Sequence, residues 1–303
     1  MRWSCLSLMT LTLAVSAACT ADKTAATSAS TVPATPPPAA IATPEPEPVA
    51  AVDATPPEPA VAPTPEPEPE TPPPPAGPRK VLILGDSLAA TGFGALLEKK
   101  LDAHPDIECA RKAKSATGLA RPDFYDWESE AKKQVEASKP DLVVVIMGGN
   151  DGQDLTPKSG KGKRVAWKSD GWNDAYKGRV SDFLREIGVD QRKVLWLGLP
   201  KSETTGFEQK LGVIRQVQSE AVAALGDAAT YLDTTPFLTD ASGVLLTTAT
   251  VGKRKDQDLR EDDGIHFTMA GSQFFADKVY PEVLRALGVE DAAPAVVETK
   301  KKK

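Results

Sequence analysis

Residues 80–88 read Lys80-Val81-Leu82-Ile83-Leu84-Gly85-Asp86-Ser87-Leu88, an apolar run that ends abruptly at Gly-Asp-Ser. Four consecutive aliphatic residues before Gly85 predict a strand that is buried on both faces, as in a parallel sheet covered by helices. Ser87 then lies at the carboxyl end of this strand. Ligands bind at that edge of an open α/β sheet, and a helix beginning near Leu88 would direct its free N–H groups toward them. Ser87 is therefore a candidate functional residue.

Gly-Asp-Ser alone is ordinary turn chemistry, because Gly and Asp favour turns and Ser caps helices. Three later stretches make the pattern more specific: Gly118 within Ser115–Leu119, Asn150 within Gly148-Gly149-Asn150-Asp151, and His266 within Asp263-Gly264-Ile265-His266-Phe267-Thr268. A serine, a glycine, an asparagine and a histidine in this order resemble the SGNH (GDSL-type) hydrolases. The last block is similar to that of a bacterial envelope subgroup.

This resemblance implies roles for particular residues. Ser87 would be the nucleophile, His266 the general base and Asp263 the partner that orients the imidazole, with Asp262 as an alternative partner. An oxyanion would be held by the N–H of Ser87, the N–H of Gly118 and the side chain of Asn150. The mechanism requires neither a metal nor an organic cofactor.

Apolar strands alternate with amphipathic helices after residue 79, so the sequence predicts a doubly wound α/β fold. The expected architecture is a three-layer α/β/α sandwich with a five-stranded, mainly parallel sheet, the flavodoxin-like fold of SGNH hydrolases. The predicted strands cover 80–84, 107–110, 141–147, 193–198 and 229–232. The predicted helices cover 88–104, a segment ending at 138, 172–187, 207–225 and a last helix capped by Thr268.

Composition divides the 303 residues into four parts. We expect a signal segment (1–19), a linker rich in Pro, Glu and Ala (20–78), one SGNH hydrolase domain (79–289) and a basic tail (290–303). The linker region holds 19 of the 27 prolines, which disfavours a packed core and predicts an extended, disordered segment. The net charge is −6, and no basic helix or groove interleaved with aromatic residues is present, so nucleic acid is not an expected partner.

The N-terminus predicts export. Residues 6–18 form an apolar stretch that is too short to span a bilayer but typical of a signal peptide. The small residues before Cys19 resemble a lipobox, although Ser16 stands where lipoproteins usually carry Leu. We expect Cys19 to be lipidated, which would anchor the protein to a membrane facing the periplasm or the cell surface. An ordinary secretory signal is the alternative.

Other chemically notable residues have simpler interpretations. We expect His104 to cap a helix or face solvent, and Cys109 to be a packed apolar side chain, since no other thiol of the domain can pair with it. Residues 157–170 form an insert with five cations and one anion. It is either a solvated surface loop or a rim of the site, where Trp167 and Trp172 would stack on sugar rings and the lysines would attract anionic groups.

The predicted function is hydrolysis of esters in an acylated small molecule or a cell-envelope glycan. An O-acyltransferase that uses the same Ser-His-Asp site is an alternative, because pocket shape and water exclusion choose the acyl acceptor. A non-catalytic, envelope-binding lipoprotein on the same scaffold is a third interpretation.

Overall fold

A computed structural model describes residues 77–188 and 192–291 of the chain. The predicted signal segment, Cys19, the linker up to residue 76 and the tail from residue 292 lie outside these described residues.

The centre of the domain is a five-stranded, fully parallel sheet with the strand order β2-β1-β3-β4-β5. The chain passes from β1 outward to β2 and then returns across β1 to β3. In doubly wound sheets this reversal marks the edge where ligands bind. The strands are β1 (Arg79–Gly85), β2 (Ile107–Ala113), β3 (Leu142–Ile146), β4 (Lys193–Leu197) and β5 (Ala229–Leu232).

Helices cover both faces of this sheet and confirm the predicted three-layer α/β/α architecture. Helices α2 and α6 pack together on one face, while α3, α4 and α5 pack in sequence on the other. The helices are α1 (Ser87–Ala90), α2 (Gly92–Asp102), α3 (Trp127–Ser138), α4 (Trp172–Ile187), α5 (Thr205–Ala223) and α6 (Met269–Leu287). Of the helices in the described ranges, none has the length and apolar composition needed to cross a membrane.

The prediction of a single helix over 88–104 was wrong. Thr91 adopts an extended conformation, with φ −96° and ψ −158°, and separates α1 from α2. Its N–H and hydroxyl both donate to the carbonyl oxygen of Ser87, at 3.0 and 2.8 Å. Helix α1 is consequently a single turn that holds Ser87 at its first position.

A two-stranded antiparallel hairpin precedes the last helix and was not predicted. It consists of β6 (Thr248–Val251) and β7 (Arg254–Asp258), which are mostly exposed. Short strands of exposed residues lack the apolar alternation that marks a half-buried strand, so the sequence gives no signal for them. The hairpin leads into the loop that carries His266.

The core beneath β3 and α6 is built from fully buried side chains. Every residue of β3 is buried, as a strand covered on both faces requires. Phe93 of α2 and Phe267 both pack on Phe275 of α6, with ring centroids 4.6 and 5.0 Å apart. The hydroxyl of Thr268 accepts from the N–H of Gly271 at 2.9 Å, which confirms its prediction as the helix cap. This packing fixes the helix that follows His266.

Candidate active site

Ser87 occupies the turn between β1 and α1. Asp86 is the cap of α1, and its carboxylate accepts from the N–H of Leu88 at 3.0 Å. The chain therefore changes from strand to helix at the serine itself. This turn places the Ser87 hydroxyl above the carboxyl edge of the sheet, beside the end of β3.

Three side chains form a continuous line of hydrogen bonds at this edge. His266 Nε2 lies 3.0 Å from Ser87 Oγ, and His266 Nδ1 lies 2.6 Å from Asp263 Oδ2. A carboxylate on Nδ1 favours the tautomer that carries its proton there, which leaves Nε2 free to accept the serine proton. The structure thus brings together the three residues of the predicted triad.

Asp263 is held as an anion by its own loop. Partial burial raises the pKa of its carboxyl, but hydrogen bonds from the His266 ring and from the N–H groups of Ile265 and His266 outweigh it and lower the pKa to about 2. The side chains of Asp263 and His266 remain 45% and 38% exposed. Asp262, the alternative partner, is exposed, and the imidazole nitrogen bonds to Asp263 instead.

The predicted oxyanion donors lie at the same edge. Asn150 Nδ2 donates to the carbonyl oxygen of Thr117 at 2.9 Å, which fixes the amide beside Gly118. An amide carries two N–H groups, so one remains for a ligand. Across residues 77–188 and 192–291, the N–H groups of Ser87 and Gly118 donate to no protein acceptor. These donors are available, and their binding of an oxyanion remains a prediction.

Asp86 joins the two strand ends that carry Ser87 and Asn150. The buried carboxylate accepts from the N–H groups of Gly148 and Gly149, each at 3.0 Å, in addition to Leu88. Burial raises its pKa to about 6, although the three N–H donors favour the ionised form. Sequence reasoning assigned Asp86 only to turn chemistry, because burial at a turn leaves no signal in a single sequence.

Asp151 binds backbone N–H groups of the loop that carries Gly118, as Asp86 does at the ends of β1 and β3. Its buried carboxylate accepts from the N–H groups of Leu119 and Ala120 at 3.0 and 2.8 Å. A Cβ atom added to Gly118 would lie 2.1 Å from Asp151 Oδ1. A glycine is required at this position because the carboxylate of Asp151 fills the space that a side chain would need.

Asp151 is held in place by a buried network of side-chain hydrogen bonds. The hydroxyl of Tyr176 donates to Asp151 Oδ2 at 2.7 Å and accepts from Gln218 Nε2 at 3.1 Å. Gln218 Oε1 in turn accepts from the indole N–H of Trp196 at 3.2 Å. Burial raises the pKa values of Asp151 and Tyr176. Helices α4 and α5 thereby fix the position of the loop that presents Gly118.

Arg260 holds the loop of His266 in place. Its buried guanidinium donates to the carbonyl oxygens of Ile265, at 2.7 Å, and of Lys201. It also stacks over Phe267, 3.9 Å from the ring centroid. Burial lowers its pKa to about 10, so the group stays charged at neutral pH. The sequence carries no pattern that distinguishes this arginine from its exposed neighbours.

An apolar cleft opens beside Ser87, Asn150 and His266. Its volume is about 140 Å³, and we call it the acyl cleft. The loop 199–204 forms one wall and bonds to the loop that carries His266, since Ser202 Oγ and the N–H of Glu203 both donate to Gly264 O at 3.0 Å. The apolar lining consists of Leu88, Leu199, Pro200, Phe207, Leu211 and Ile265.

The insert 157–170 does not line this cleft. The predicted stacking role of Trp172 was wrong, because its side chain is only 1% exposed and packs between Trp167 and Tyr176. Its indole N–H donates to the carbonyl oxygen of Gln153 at 2.8 Å. Lys158, which was predicted to attract anionic groups, forms a salt bridge with the carboxylate of Asp126 at 2.6 Å.

The remaining histidine and cysteine lie away from Ser87. His104 is buried and bonds to the N–H of Asp106 and the carbonyl oxygen of Glu290, at 3.2 and 3.0 Å. Of its two predicted positions, the solvent-facing one was wrong because the residue is buried, whereas its backbone N–H bonds to Leu101 O at the end of α2 at 3.0 Å. Cys109 packs against the core as a free thiol, and burial raises its pKa.

Comparison with known proteins gives a family match and a set of structural likenesses. Residues 80–282 match the model of a family described as "Protein of unknown function (DUF459)". That range runs from β1 into α6 and includes Ser87, Gly118, Asn150, Asp263 and His266. No curated protein matches the chain.

Several solved structures resemble this one at low sequence identity. A psychrotrophic esterase, EstA, from Pseudoalteromonas sp. is 14% identical, with a TM-score of 0.48, over 69% of this chain and 99% of that one. The acetylxylan esterase Axe2 from Geobacillus stearothermophilus is 18% identical, with a TM-score of 0.48, over 71% and 96%. A GDSL-like lipase from Bacteroides thetaiotaomicron is 15% identical, with a TM-score of 0.46, over 69% and 89%.

Proposed function

The chain belongs to the family described as protein of unknown function (DUF459), and we propose that this member is an SGNH-type serine ester hydrolase with Ser87 as nucleophile. The observation that carries the proposal is the hydrogen-bonded line from Asp263 through His266 to Ser87. Nucleophile, base and orienting carboxylate within hydrogen-bonding distance are the signature of nucleophilic acyl transfer.

The first half of the reaction forms an acyl-enzyme. Ser87 Oγ attacks the ester carbonyl carbon while its proton passes to His266 Nε2, and Asp263 stabilises the imidazolium. The carbonyl oxygen becomes an oxyanion that the N–H groups of Ser87 and Gly118 and the amide of Asn150 can receive. The tetrahedral intermediate then collapses, the bond to the alcohol oxygen breaks, and His266 returns the proton to the departing alcohol.

The second half releases the acid. Water loses a proton to His266 Nε2 and attacks the acyl carbon, and the bond to Ser87 Oγ breaks as the proton returns to the serine. His266 and Asp263 are 38% and 45% exposed, so water reaches the base without a conformational change. This access favours hydrolysis over transfer to a sugar hydroxyl, which needs a site that excludes water.

A substrate screen tests the proposal directly. The purified protein should hydrolyse short-chain acyl esters, and Ser87→Ala should remove most of this activity. Ser219→Ala is the matched control, because its exposed hydroxyl bonds only to Gln216 O of the same helix. Equal activity of wild type and Ser87→Ala would exclude the proposal.

We also propose that the enzyme is exported, anchored through a lipidated Cys19, and acts on acyl groups of a cell-envelope glycan. The support comes from the sequence: an apolar stretch over 6–18 followed by small residues and Cys19. A domain separated from its anchor by residues 20–78 would reach substrates in the envelope rather than in the cytoplasm.

A further inference from the structure

A second cavity borders Asn150, which also lines the acyl cleft. Its volume is about 230 Å³, and its lining includes Gly118, Asn150, Arg121 and Phe124. We call it the Arg121 hollow. It borders two of the three predicted oxyanion donors, while the acyl cleft borders Asn150 and Ser87. The two cavities therefore meet at the position where a substrate carbonyl would bind.

An ester has two halves, and this arrangement offers a separate place for each. With the carbonyl oxygen at Gly118 and Asn150, the acyl chain fits the apolar cleft and the alcohol lies toward the hollow. In the tetrahedral intermediate, the oxygen of the leaving alcohol and Ser87 Oγ are bonded to the same carbon. The alcohol oxygen therefore stays near His266 Nε2. The alcohol part of the substrate is consequently recognised by the chemistry of the hollow.

Phe124 gives the hollow an uncovered aromatic ring. Its side chain is 60% exposed, whereas most large apolar residues of the described ranges are buried. The N–H of Phe124 donates to Arg121 O, so the ring is carried by a turn rather than by a free loop end. An exposed aromatic face at the rim of a cavity suits stacking against the apolar face of a sugar ring.

Arg121 supplies fixed donors beside this ring. Its Nε and Nη2 atoms donate to the two carboxylate oxygens of Asp123 at 2.9 and 3.0 Å, and Thr156 also donates to Asp123. The hydrogen bond from Arg121 keeps the pKa of Asp123 low, so the pair carries no net charge at neutral pH. Nη1 of Arg121 has no partner among the described residues. Such a group binds neutral hydroxyl or ester oxygens in a defined direction.

We propose that the Arg121 hollow binds the alcohol half of the substrate, and that this half is an uncharged sugar ring stacked on Phe124 with its oxygens toward Arg121. The inference rests on the proposed esterase function. It differs from recognition by the insert 157–170, whose lysines would select anionic glycans. Because Asp123 neutralises Arg121, binding in the hollow depends little on salt.

The test compares two neutral acetyl esters in a pH-stat assay. Glucose pentaacetate carries an acetyl ester on each of the five hydroxyl groups of glucose, and ethyl acetate has no ring to stack. Phe124→Ala should lower kcat/KM on glucose pentaacetate roughly 3- to 10-fold and leave ethyl acetate unchanged. Arg121→Lys should have the same selectivity. Val244→Ala is the control, since Val244 is similarly exposed but lines neither cavity.

The outcomes separate the subsite from the function. A selective loss on glucose pentaacetate that is the same at low and high salt supports the proposal. An equal change on both esters, no change on either, or a loss that disappears at high salt overturns the subsite while leaving the esterase intact. A wild-type protein that hydrolyses neither ester overturns the proposed function and the subsite together.

Discussion

His266 Nε2 lies 3.0 Å from Ser87 Oγ, although 179 residues of sequence separate them. Ser87 is the first residue of α1, shortly after the end of β1, whereas His266 lies on a loop between the β6–β7 hairpin and α6. The loop is fixed by the capping residue Thr268 at one end and by the guanidinium of Arg260 beneath it. The distance between His266 and Ser87 therefore depends on Thr268 and Arg260, which are not expected to contact the substrate.

The amide of Asn150 should contribute to the rate by binding the oxyanion. We expect Asn150→Ala to lower kcat about 10²–10³-fold with little change in KM, because an oxyanion donor acts mainly in the transition state. Steady-state kinetics on a short-chain ester measures this effect. Asn173→Ala, on the exposed start of α4, is the control. Wild-type kcat in Asn150→Ala would place the oxyanion elsewhere.

Asp86 should make stability depend on pH. Its pKa is near 3.8 when unfolded and about 6 when folded, so the folded protein retains a proton that the unfolded chain has released. The contribution of Asp86 to stability should therefore fall as the pH rises from about 4 to about 6, by on the order of 3 kcal/mol, and then level off. Denaturant unfolding across this range measures the slope.

Asp86→Asn should remove this contribution to the slope, since an amide does not titrate. Asp182→Asn on the surface of α4 controls for the loss of one carboxylate and should keep the wild-type slope. Identical slopes in wild type and Asp86→Asn would show that the buried carboxyl does not take up the proton.

Gly118 and Gly178 should respond oppositely to alanine. In Gly118→Ala the new Cβ meets Asp151 Oδ1 at 2.1 Å, so we expect about 1–3 kcal/mol of destabilisation and a loss of activity. Gly178 lies in the interior of α4 with no atom within 4 Å of an added Cβ, and Gly178→Ala should stabilise the protein by about 0.5–1 kcal/mol. Thermal unfolding and ester hydrolysis distinguish the two variants. Destabilisation of equal size in both would argue against the close approach of Asp151.

Arg260 should act on the rate through the position of His266. Arg260→Lys keeps the charge but loses the planar fork that bonds two carbonyl oxygens. We expect kcat to fall about 10- to 100-fold, because small displacements of a base are costly, with KM nearly unchanged. Kinetics well below the unfolding midpoint provides the readout, and Arg254→Lys in the exposed β7 is the control. A change in KM alone would indicate a role in the cleft instead.

The proposed lipid anchor has its own test. Cys19→Ala should move the protein from the membrane fraction to the soluble fraction, because the acylated thiol would be missing. Mass spectrometry of the wild-type protein should detect acyl chains on the N-terminal cysteine. A soluble wild-type protein without acyl chains would contradict the anchor and leave the esterase proposal untouched.

Much of the fold follows from the sequence because two central strands, β1 and β3, are largely apolar. The run before Gly85 and the run from Leu142 to Ile146 are buried on both faces, so composition alone identifies them. The hairpin was missed because its short strands are mostly exposed and β7 consists of polar and charged residues. The break at Thr91 was missed because apolar periodicity continues across it.

The site was predictable where residues act through their own side chains in short motifs. Ser87 and His266 belong to such motifs. Asp86 and Asp151 also belong to such motifs, but their buried carboxylates bind backbone N–H groups of other segments. Which segments lie next to these carboxylates depends on the strand order, which a short motif does not reveal. Arg260 depends on contacts with the chain 59 residues earlier, at Lys201, which no local pattern reveals.

Helix α5 contributes side chains to the site at two positions along its axis. Phe207 and Leu211 in its first turns line the acyl cleft, while Gln218 supports Asp151 about 10 Å further along the axis. In the proposed esterase, substitutions in the early turns can alter the accepted acyl chain without reaching the residues that position the oxyanion donors. Within this one helix of 19 residues, different positions then determine which acyl chains are accepted and how the oxyanion donors are placed.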